Sequence, residues 1–160
     1  MGADPKKARL FWVGVVLWTC LIFSFSLQSV EESSERSSRL QERLQPWVES
    51  WEETLGVELI PPGSFHRMVR KAAHFSLFLV LGGLALGAGL ASGWPLGKAV
   101  LGAGLWVLVS AVLDETLQTF VPGRSGEWTD VLLDTLGAAV GISLTALGRF
   151  SWLKMSKNRG

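Results

Sequence analysis

Three groups of polar side chains lie at the ends of apolar stretches in this chain of 160 residues. The groups are Arg70, Lys71 and His74; Asp114, Glu115 and Gln118; and Arg124, Asp130 and Asp134. Histidine and carboxylates can exchange protons, and Arg and Lys can hold anionic groups. An ionisable group at membrane depth is costly unless it is paired or hydrated, so such groups commonly mark functional sites. The residue types therefore predict a polar site for binding or acid–base chemistry.

The apolar stretches around these groups have the length of membrane-spanning helices. A bilayer core of about 30 Å is crossed by roughly 20 apolar residues in an α-helix. The third stretch reaches this length only if it continues through Asp114 and Glu115. We predict an all-α, polytopic membrane helix bundle with four transmembrane helices, at about residues 10–27, 72–91, 99–120 and 131–148. Residues 1–160 are expected to form a single membrane domain.

The orientation of the bundle follows from Lys and Arg, which are enriched on the cytoplasmic flanks of membrane helices. Basic residues precede the first predicted helix and follow the fourth: Lys6, Lys7, Arg9, Arg149, Lys154, Lys157 and Arg159. With four spans both termini share one side, so we place both in the cytoplasm and the polar site on the extracytoplasmic side. The basic start of the first helix resembles a signal peptide, but its long apolar run predicts a retained helix.

A polar segment, residues 28–71, separates the first two predicted spans. Its apolar side chains recur at helical spacing, at Leu40, Leu44, Trp47, Trp51 and Leu55. This pattern predicts an amphipathic, extracytoplasmic helical segment that lies on the membrane surface or packs against the bundle. Pro46 is expected to open a second short helix within it, and Pro61, Pro62 and Gly63 are expected to end it.

Spacing also predicts which polar side chains share a helix face. Lys71 and His74 lie three residues apart, Asp114 and Gln118 four, and Asp130 and Asp134 four. Pro122 and Gly123 predict a turn directly before Arg124, because proline cannot continue a helical ladder. In the predicted topology all of these groups meet on one side of the membrane. They form either an ion-pair network that joins three helices or a functional site.

Three ordered motifs in this region resemble the VanZ family of small integral membrane proteins. They read Arg70-Lys71-Ala72-Ala73-His74-Phe75, Asp114-Glu115-Thr116-Leu117-Gln118-Thr119-Phe120-Val121-Pro122-Gly123-Arg124, and Asp130-Val131-Leu132-Leu133-Asp134-Thr135-Leu136-Gly137. The resemblance implies a protein of the bacterial cytoplasmic membrane with a role at the cell envelope. The member that gives the family its name is associated with low-level resistance to the glycopeptide teicoplanin.

Seven of the polar residues match the family pattern: Lys71, His74, Asp114, Glu115, Gln118, Arg124 and Asp130. The chain departs from it at Phe78, where the family often has Tyr, and at Asp134, where it often has Asn. The first departure removes a phenol hydroxyl, and the second adds a carboxylate.

Our first hypothesis is an envelope factor that binds or modifies an anionic lipid-linked or glycopeptide-type ligand at the outer face. The catalytic candidates are His74 as general acid or base and Asp114 or Glu115 as the carboxylate that tunes it. The ligand-binding candidates are Arg70, Lys71, Gln118, Arg124, Asp130 and Asp134. The basic residues would hold the head group, and the two aspartates would orient them or bind a cation. No cofactor is predicted, and no metal site either, because the chain lacks a recognisable ligand motif.

Two alternatives stay open. The same groups would serve a non-catalytic binding or helper protein, or a proton- or ion-coupled transporter, although their position at one end of the bundle fits transport poorly. Whether the protein is an enzyme, and its oligomeric state, are left open by the sequence. Membrane lipid is the expected partner, and nucleic acid is not, because the basic residues form no stripe.

Overall fold

The structure is a computed structural model that describes residues 3–56 and 64–157, without the side chains of 30–34, 36–37, 66, 152–153 and 156–157. In these ranges the chain forms helices and no strand, which confirms the all-α prediction. The helices are α1 (Pro5–Ser26), α2 (Val30–Leu55), α3 (Phe65–Ala91), α4 (Leu96–Gln118) and α5 (Trp128–Lys157).

Four helices in the described part of the chain are long and apolar enough to cross a membrane: Pro5–Ser26, Arg67–Ala91, Leu96–Gln118 and Trp128–Ser151. Their outward surfaces are apolar, as lipid contact requires, with side chains such as Leu17, Leu101 and Leu144 exposed. The protein is therefore a multi-pass membrane protein. All four spans begin three to five residues earlier than predicted, at residues 5, 67, 96 and 128 instead of about 10, 72, 99 and 131. In α3 this is because Arg and Lys are good helix formers and extend the helix beyond its apolar stretch.

The first helix begins at a well-formed cap. Pro5 occupies the first helical position, and the Asp4 carboxylate accepts a hydrogen bond from the backbone N–H of Lys7 at 3.1 Å. This hydrogen bond lowers the pKa of the Asp4 carboxyl below its usual value. The Asp4 backbone N–H also donates to the carbonyl of Ala91 at 3.0 Å, which joins the start of α1 to the end of α3.

α3 is the central helix, and it packs against α1, α2, α4 and α5. Its contact with α5 is the closest, since glycines let the two backbones touch. A Cβ added at Gly141 would collide with the carbonyl oxygen of Leu79, and one added at Gly137 would collide with that of Phe75. The backbone contact fixes how α5 is rotated against α3. It therefore also fixes where the polar side chains near the start of α5 point.

α2 is one continuous helix, so the expectation that Pro46 opens a second helix is wrong. Proline removes a single hydrogen bond from the ladder, and in this exposed helix water can satisfy the freed carbonyl. Gly56, at φ 66°, follows α2 in the left-handed conformation typical of helix ends. The predicted end at Pro61, Pro62 and Gly63 lies outside the described residues.

Among the described helices α2 packs against α3, and much of its apolar face stays exposed, including Trp47 and Trp51.

Candidate functional site

The end of α1, the start of α3, the end of α4 and the start of α5 meet at one end of the bundle, which we call the polar end. Up-and-down connectivity requires this, because spans that follow one another run in opposite directions. Two contacts show it directly: His74 of α3 reaches Asp114 of α4, and Arg124 reaches the Ser26 carbonyl of α1. The predicted site residues on α3, α4 and α5 are thus brought together.

His74 lies against two carboxylates that come from different helices. Its Nδ1 is 3.5 Å from Asp114 Oδ2 and 3.8 Å from Asp134 Oδ2. Both aspartates are fully buried, and the His74 side chain is 12% exposed. The contact of Asp114 with His74 agrees with the prediction from the sequence. Asp134 was instead predicted to orient the basic residues or to bind a cation. We call these three residues the His–Asp cluster.

Gln118 connects this cluster to Glu115. Its amide donates to Asp114 Oδ2 at 3.2 Å and to Glu115 Oε1 at 3.0 Å. Glu115 Oε2 accepts the backbone N–H of Glu127 at 2.9 Å, directly before the first residue of α5. Glu115 therefore satisfies an unpaired N–H at a helix start. Both of its oxygens are used, and its predicted catalytic role stays a prediction.

Lys71 and Asp130 form the tightest ion pair of the polar end. Lys71 Nζ lies 2.5 Å from Asp130 Oδ1, and it is also 4.0 Å from Glu127. Arg70 lies 4.0 Å from the other oxygen of Asp130. These contacts join α3 to α5 and largely neutralise Lys71. Beside them a cavity of about 10 Å³, the size of one water, is lined by Arg70, Lys71, His74, Gln118, Asp130 and Leu133.

Arg124 leaves the turn between α4 and α5 and reaches back to α1. The turn is permitted by Gly123, which has a φ of 79°. Nη1 of Arg124 donates to the carbonyl of Ser26 at 3.1 Å, where a cation is also favoured by the helix dipole. Its buried Nε finds no acceptor among the described residues. Burial and the nearby charge of Arg70 lower the pKa of the Arg124 guanidinium from its ordinary value.

A second, larger cavity of about 430 Å³ opens between α1, α2 and α3 beside the polar end. Its walls are mainly apolar and include Phe25, Leu40, Val69, Ala73 and Leu77. Its polar lining includes Arg70, Arg124 and His74. Ligand cavities of roughly 300–1,000 Å³ with apolar walls and a few polar groups are usual in proteins. We call it the lateral cavity.

Sequence reasoning missed several residues of this region. Phe25 and Leu40 line the lateral cavity, yet both lie in segments where apolar residues are ordinary. Ser26 contributes its carbonyl and Glu127 its N–H, and backbone atoms carry no sequence signal; the Glu127 side chain also lies 4.0 Å from Lys71. Three residues of types that commonly bind metal ions also meet here: one atom each from His74, Asp114 and Asp134 lies within 4.8 Å of the others. A search for local motifs cannot find a set drawn from three helices.

Comparison with known proteins identifies the family of this chain. The family model described as VanZ/LLP1 matches residues 11–149, which is nearly the full chain and includes every residue of the polar end described above. No curated protein and no solved structure gave a significant match. The chain belongs to the VanZ/LLP1 family.

Proposed function

We propose that this VanZ/LLP1-family protein binds an amphiphile with an anionic head group in the lateral cavity. The main observation is the shape and chemistry of that cavity. It offers about 430 Å³ between mainly apolar walls, and two guanidinium groups, Arg70 and Arg124, lie in its lining. An acyl or prenyl chain fits apolar walls, and guanidinium groups match the oxygens of phosphate or carboxylate.

The two guanidinium groups that line the cavity also favour an anion at that place. Arg70 and Arg124 are close enough for one to lower the pKa of the other, so their charges repel. Neither is neutralised as Lys71 is: Arg70 lies 4.0 Å from Asp130, and Arg124 bonds to a neutral carbonyl. A phosphate between the two guanidinium groups would remove the repulsion and accept hydrogen bonds from both. Lys71, already 2.5 Å from Asp130, would act through Asp130 rather than on the ligand.

α2 would cover the cavity from the membrane surface. Leu40 contributes to the cavity wall, while Trp47 and Trp51 are exposed on the same helix. Exposed Trp side chains on an amphipathic helix favour the lipid–water interface. With basic residues flanking both termini, we place the termini in the cytoplasm and α2 and the polar end on the outer face. The head group would then reach the cavity from the outer leaflet.

His74 is the residue that would act on a bound head group. Its Nδ1 faces Asp114 and Asp134, which leaves Nε2 to donate a hydrogen bond or exchange a proton with a ligand in the cavity that His74 lines. If a proton is exchanged, the protein modifies its ligand. If Nε2 only donates, the protein is a non-catalytic binder. Glu115 and Lys71 favour the non-catalytic binder, because their polar atoms already form hydrogen bonds or an ion pair with other residues of the polar end.

The biological setting we propose is the bacterial cell envelope, with a lipid-linked phosphate as the ligand and a contribution to glycopeptide resistance as its consequence. A transporter gains no support from the described residues. Their buried ionisable groups, Asp114, Glu115, Asp130 and Asp134, all lie at the polar end. Farther along the bundle the buried polar groups are hydroxyls such as Thr19 and Ser110, each bonded to a carbonyl of its own helix.

A lipid-binding measurement tests the proposal. Purified protein in nanodiscs would be titrated with a polyprenyl phosphate and, for comparison, with the corresponding neutral polyprenol. Arg124→Gln and Arg70→Gln should each weaken binding of the phosphate by about tenfold or more, because charged hydrogen bonds contribute roughly 1.5–3 kcal/mol. Arg149→Gln, near the other end of α5, is the matched control and should bind normally. Equal binding of the phosphate and the neutral polyprenol would refute the proposal.

A phenotype assay separates modification from binding alone. Teicoplanin susceptibility would be measured in cells that carry either the wild type or His74→Gln at equal membrane abundance. If His74→Gln binds the phosphate normally but confers no resistance, His74 modifies the ligand. Normal resistance in this variant would remove His74 from the mechanism and leave a binding protein.

A further inference from the structure

The His–Asp cluster contains carboxylate oxygens that have no hydrogen-bond partner within ordinary distance among the described residues. Both oxygens of Asp134, Oδ1 of Asp114 and Nδ1 of His74 are buried without a hydrogen-bond partner among the described residues. Asp114 and Asp134 have no solvent-accessible surface. Elsewhere at the polar end comparable groups are paired: Lys71 holds Asp130, and Gln118 and a backbone N–H hold Glu115. Among the described residues the unsatisfied carboxylate oxygens are thus confined to one point, where three helices meet; the other two unsatisfied atoms of the polar end, Ser26 Oγ and Arg124 Nε, carry hydrogens.

Leaving these groups without a partner is energetically costly. Burying an unpaired carboxylate is strongly unfavourable, and two carboxylates close together also repel. One imidazole can neutralise at most one of the two carboxylates, and only when it is protonated. A divalent cation among the three residues would balance both carboxylate charges and take one ligand atom from each residue.

The geometry is close to that of a metal site. One ligand atom from each residue lies within 4.8 Å of the other two, with His74 Nδ1 3.5 Å from Asp114 Oδ2 and 3.8 Å from Asp134 Oδ2. In a tetrahedral site with bonds of about 2.0–2.2 Å, ligand atoms are roughly 3.3 Å apart. At the widest separation of 4.8 Å, the ligand atoms would have to approach by about 1.5 Å, which side-chain rotations allow.

We propose that His74, Asp114 and Asp134 bind a divalent transition-metal cation. An imidazole with two carboxylates suits Zn²⁺, Mn²⁺ or Fe²⁺, whereas an all-oxygen set would favour Mg²⁺ or Ca²⁺. Three protein ligands leave a coordination position for water or a ligand oxygen. Since His74 lines the lateral cavity, the cation would lie beside the proposed head-group position. The Gln118 amide donates a hydrogen bond to Asp114 Oδ2 and would orient this carboxylate toward the cation.

The test measures metal bound to the purified chain, with no lipid ligand present. Protein purified with a tag that contains no histidine would be stripped with a chelator, dialysed against Zn²⁺ or Mn²⁺ and analysed by mass spectrometry for metal per chain. We expect about one tightly bound cation in the wild type and at least about tenfold weaker binding in Asp134→Asn and Asp114→Asn. Glu127→Gln, an exposed carboxylate at the same end of the bundle, should bind like the wild type. Co²⁺ in the wild-type site should give visible absorption bands that Asp134→Asn lacks.

Three outcomes would overturn the inference. The wild type would bind no cation beyond the level of the Asp114→Asn and Asp134→Asn double variant, or Glu127→Gln would lose as much metal as Asp134→Asn. Binding lost on changing His66, the other of the two histidines of the chain, would place the cation elsewhere. The amount of metal bound by the wild type tests the inference even if a variant fails to fold. Loss of metal with intact phosphate-lipid binding would also separate this inference from the proposed function, which depends on Arg70 and Arg124.

Discussion

Replacing Gly141 with Ala is the sharpest test of how the site is positioned. The added Cβ would collide with the carbonyl oxygen of Leu79. It would also lie 2.8 Å from the carbonyl carbon of Leu79 and 3.2 Å from the backbone nitrogen of Gly83. Ordinary contact begins at 3.4 Å. Because every obstructing atom belongs to the backbone, no side chain can turn aside, and α5 has to move away from α3 by on the order of 1 Å.

The cost of this movement can be estimated. Overpacking a close interface costs roughly 1–3 kcal/mol in the free energy of unfolding. The same movement would carry Asp134, on the same helix, away from His74, so their 3.8 Å separation would grow to roughly 4.8 Å. Stability and the His–Asp cluster should therefore be damaged together, although Gly141 touches neither aspartate.

Unfolding in mixed micelles, followed by circular dichroism or by steric trapping, measures the expected loss. Gly148→Ala is the matched control, since it lies on the same helix and its added Cβ meets nothing within 4 Å. It should change the free energy of unfolding by less than about 0.5 kcal/mol. If Gly141→Ala is as stable as Gly148→Ala, the two backbones are not in contact and the description of the α3–α5 interface is wrong.

Three further predictions concern other contacts. Lys71→Met leaves the buried Asp130 without its main partner and should lower the free energy of unfolding by about 1–2 kcal/mol, because Lys71 is partly exposed and Arg70 stays near Asp130. Adding Asp130→Asn should restore part of the loss, and a purely additive double variant would argue against the pair. Trp18→Phe removes the 2.8 Å indole hydrogen bond to the Leu77 carbonyl and should cost about 1 kcal/mol in the same measurement, whereas an unchanged value would contradict a docked α1. Cys20, exposed near the middle of α1, should resist a water-soluble maleimide in intact membranes and react after solubilisation in SDS; rapid labelling in the membrane would contradict a transmembrane α1.

Apolar length alone was enough to predict the spans, because lipid demands a continuous apolar surface whatever the packing inside. Apolar length predicted the boundaries of these spans less well. α3 begins at Phe65 instead of residue 72, since its first turns are held by helix propensity and by pairs such as Lys71 with Asp130. Pro46 misled the prediction for α2, because one missing hydrogen bond does not end a solvated helix.

The gathering of the candidate-site residues at one end of the bundle could be predicted, and so could the approach of Asp114 to His74, but the other pairings could not. Spacing of three or four residues shows which side chains share a face, and it leaves open how each helix is turned against its neighbours. That rotation is set by backbone contacts such as Gly137 against Phe75. It directs Asp134 to His74 and directs Glu115 to the start of α5. The lateral cavity lies beyond such reasoning, because it depends on how α2 lies across α3.

The hydrogen bond from Arg124 to the Ser26 carbonyl joins residues that are 98 positions apart. During synthesis α1 enters the membrane long before the ribosome has produced the arginine that closes the polar end. Every nascent chain therefore passes through a stage in which the end of the first helix lacks this partner and the acidic residues of α4 are not yet covered by α5. A chain truncated after α4 would therefore present unsheltered charge to the lipid and be a natural substrate for membrane quality-control proteases.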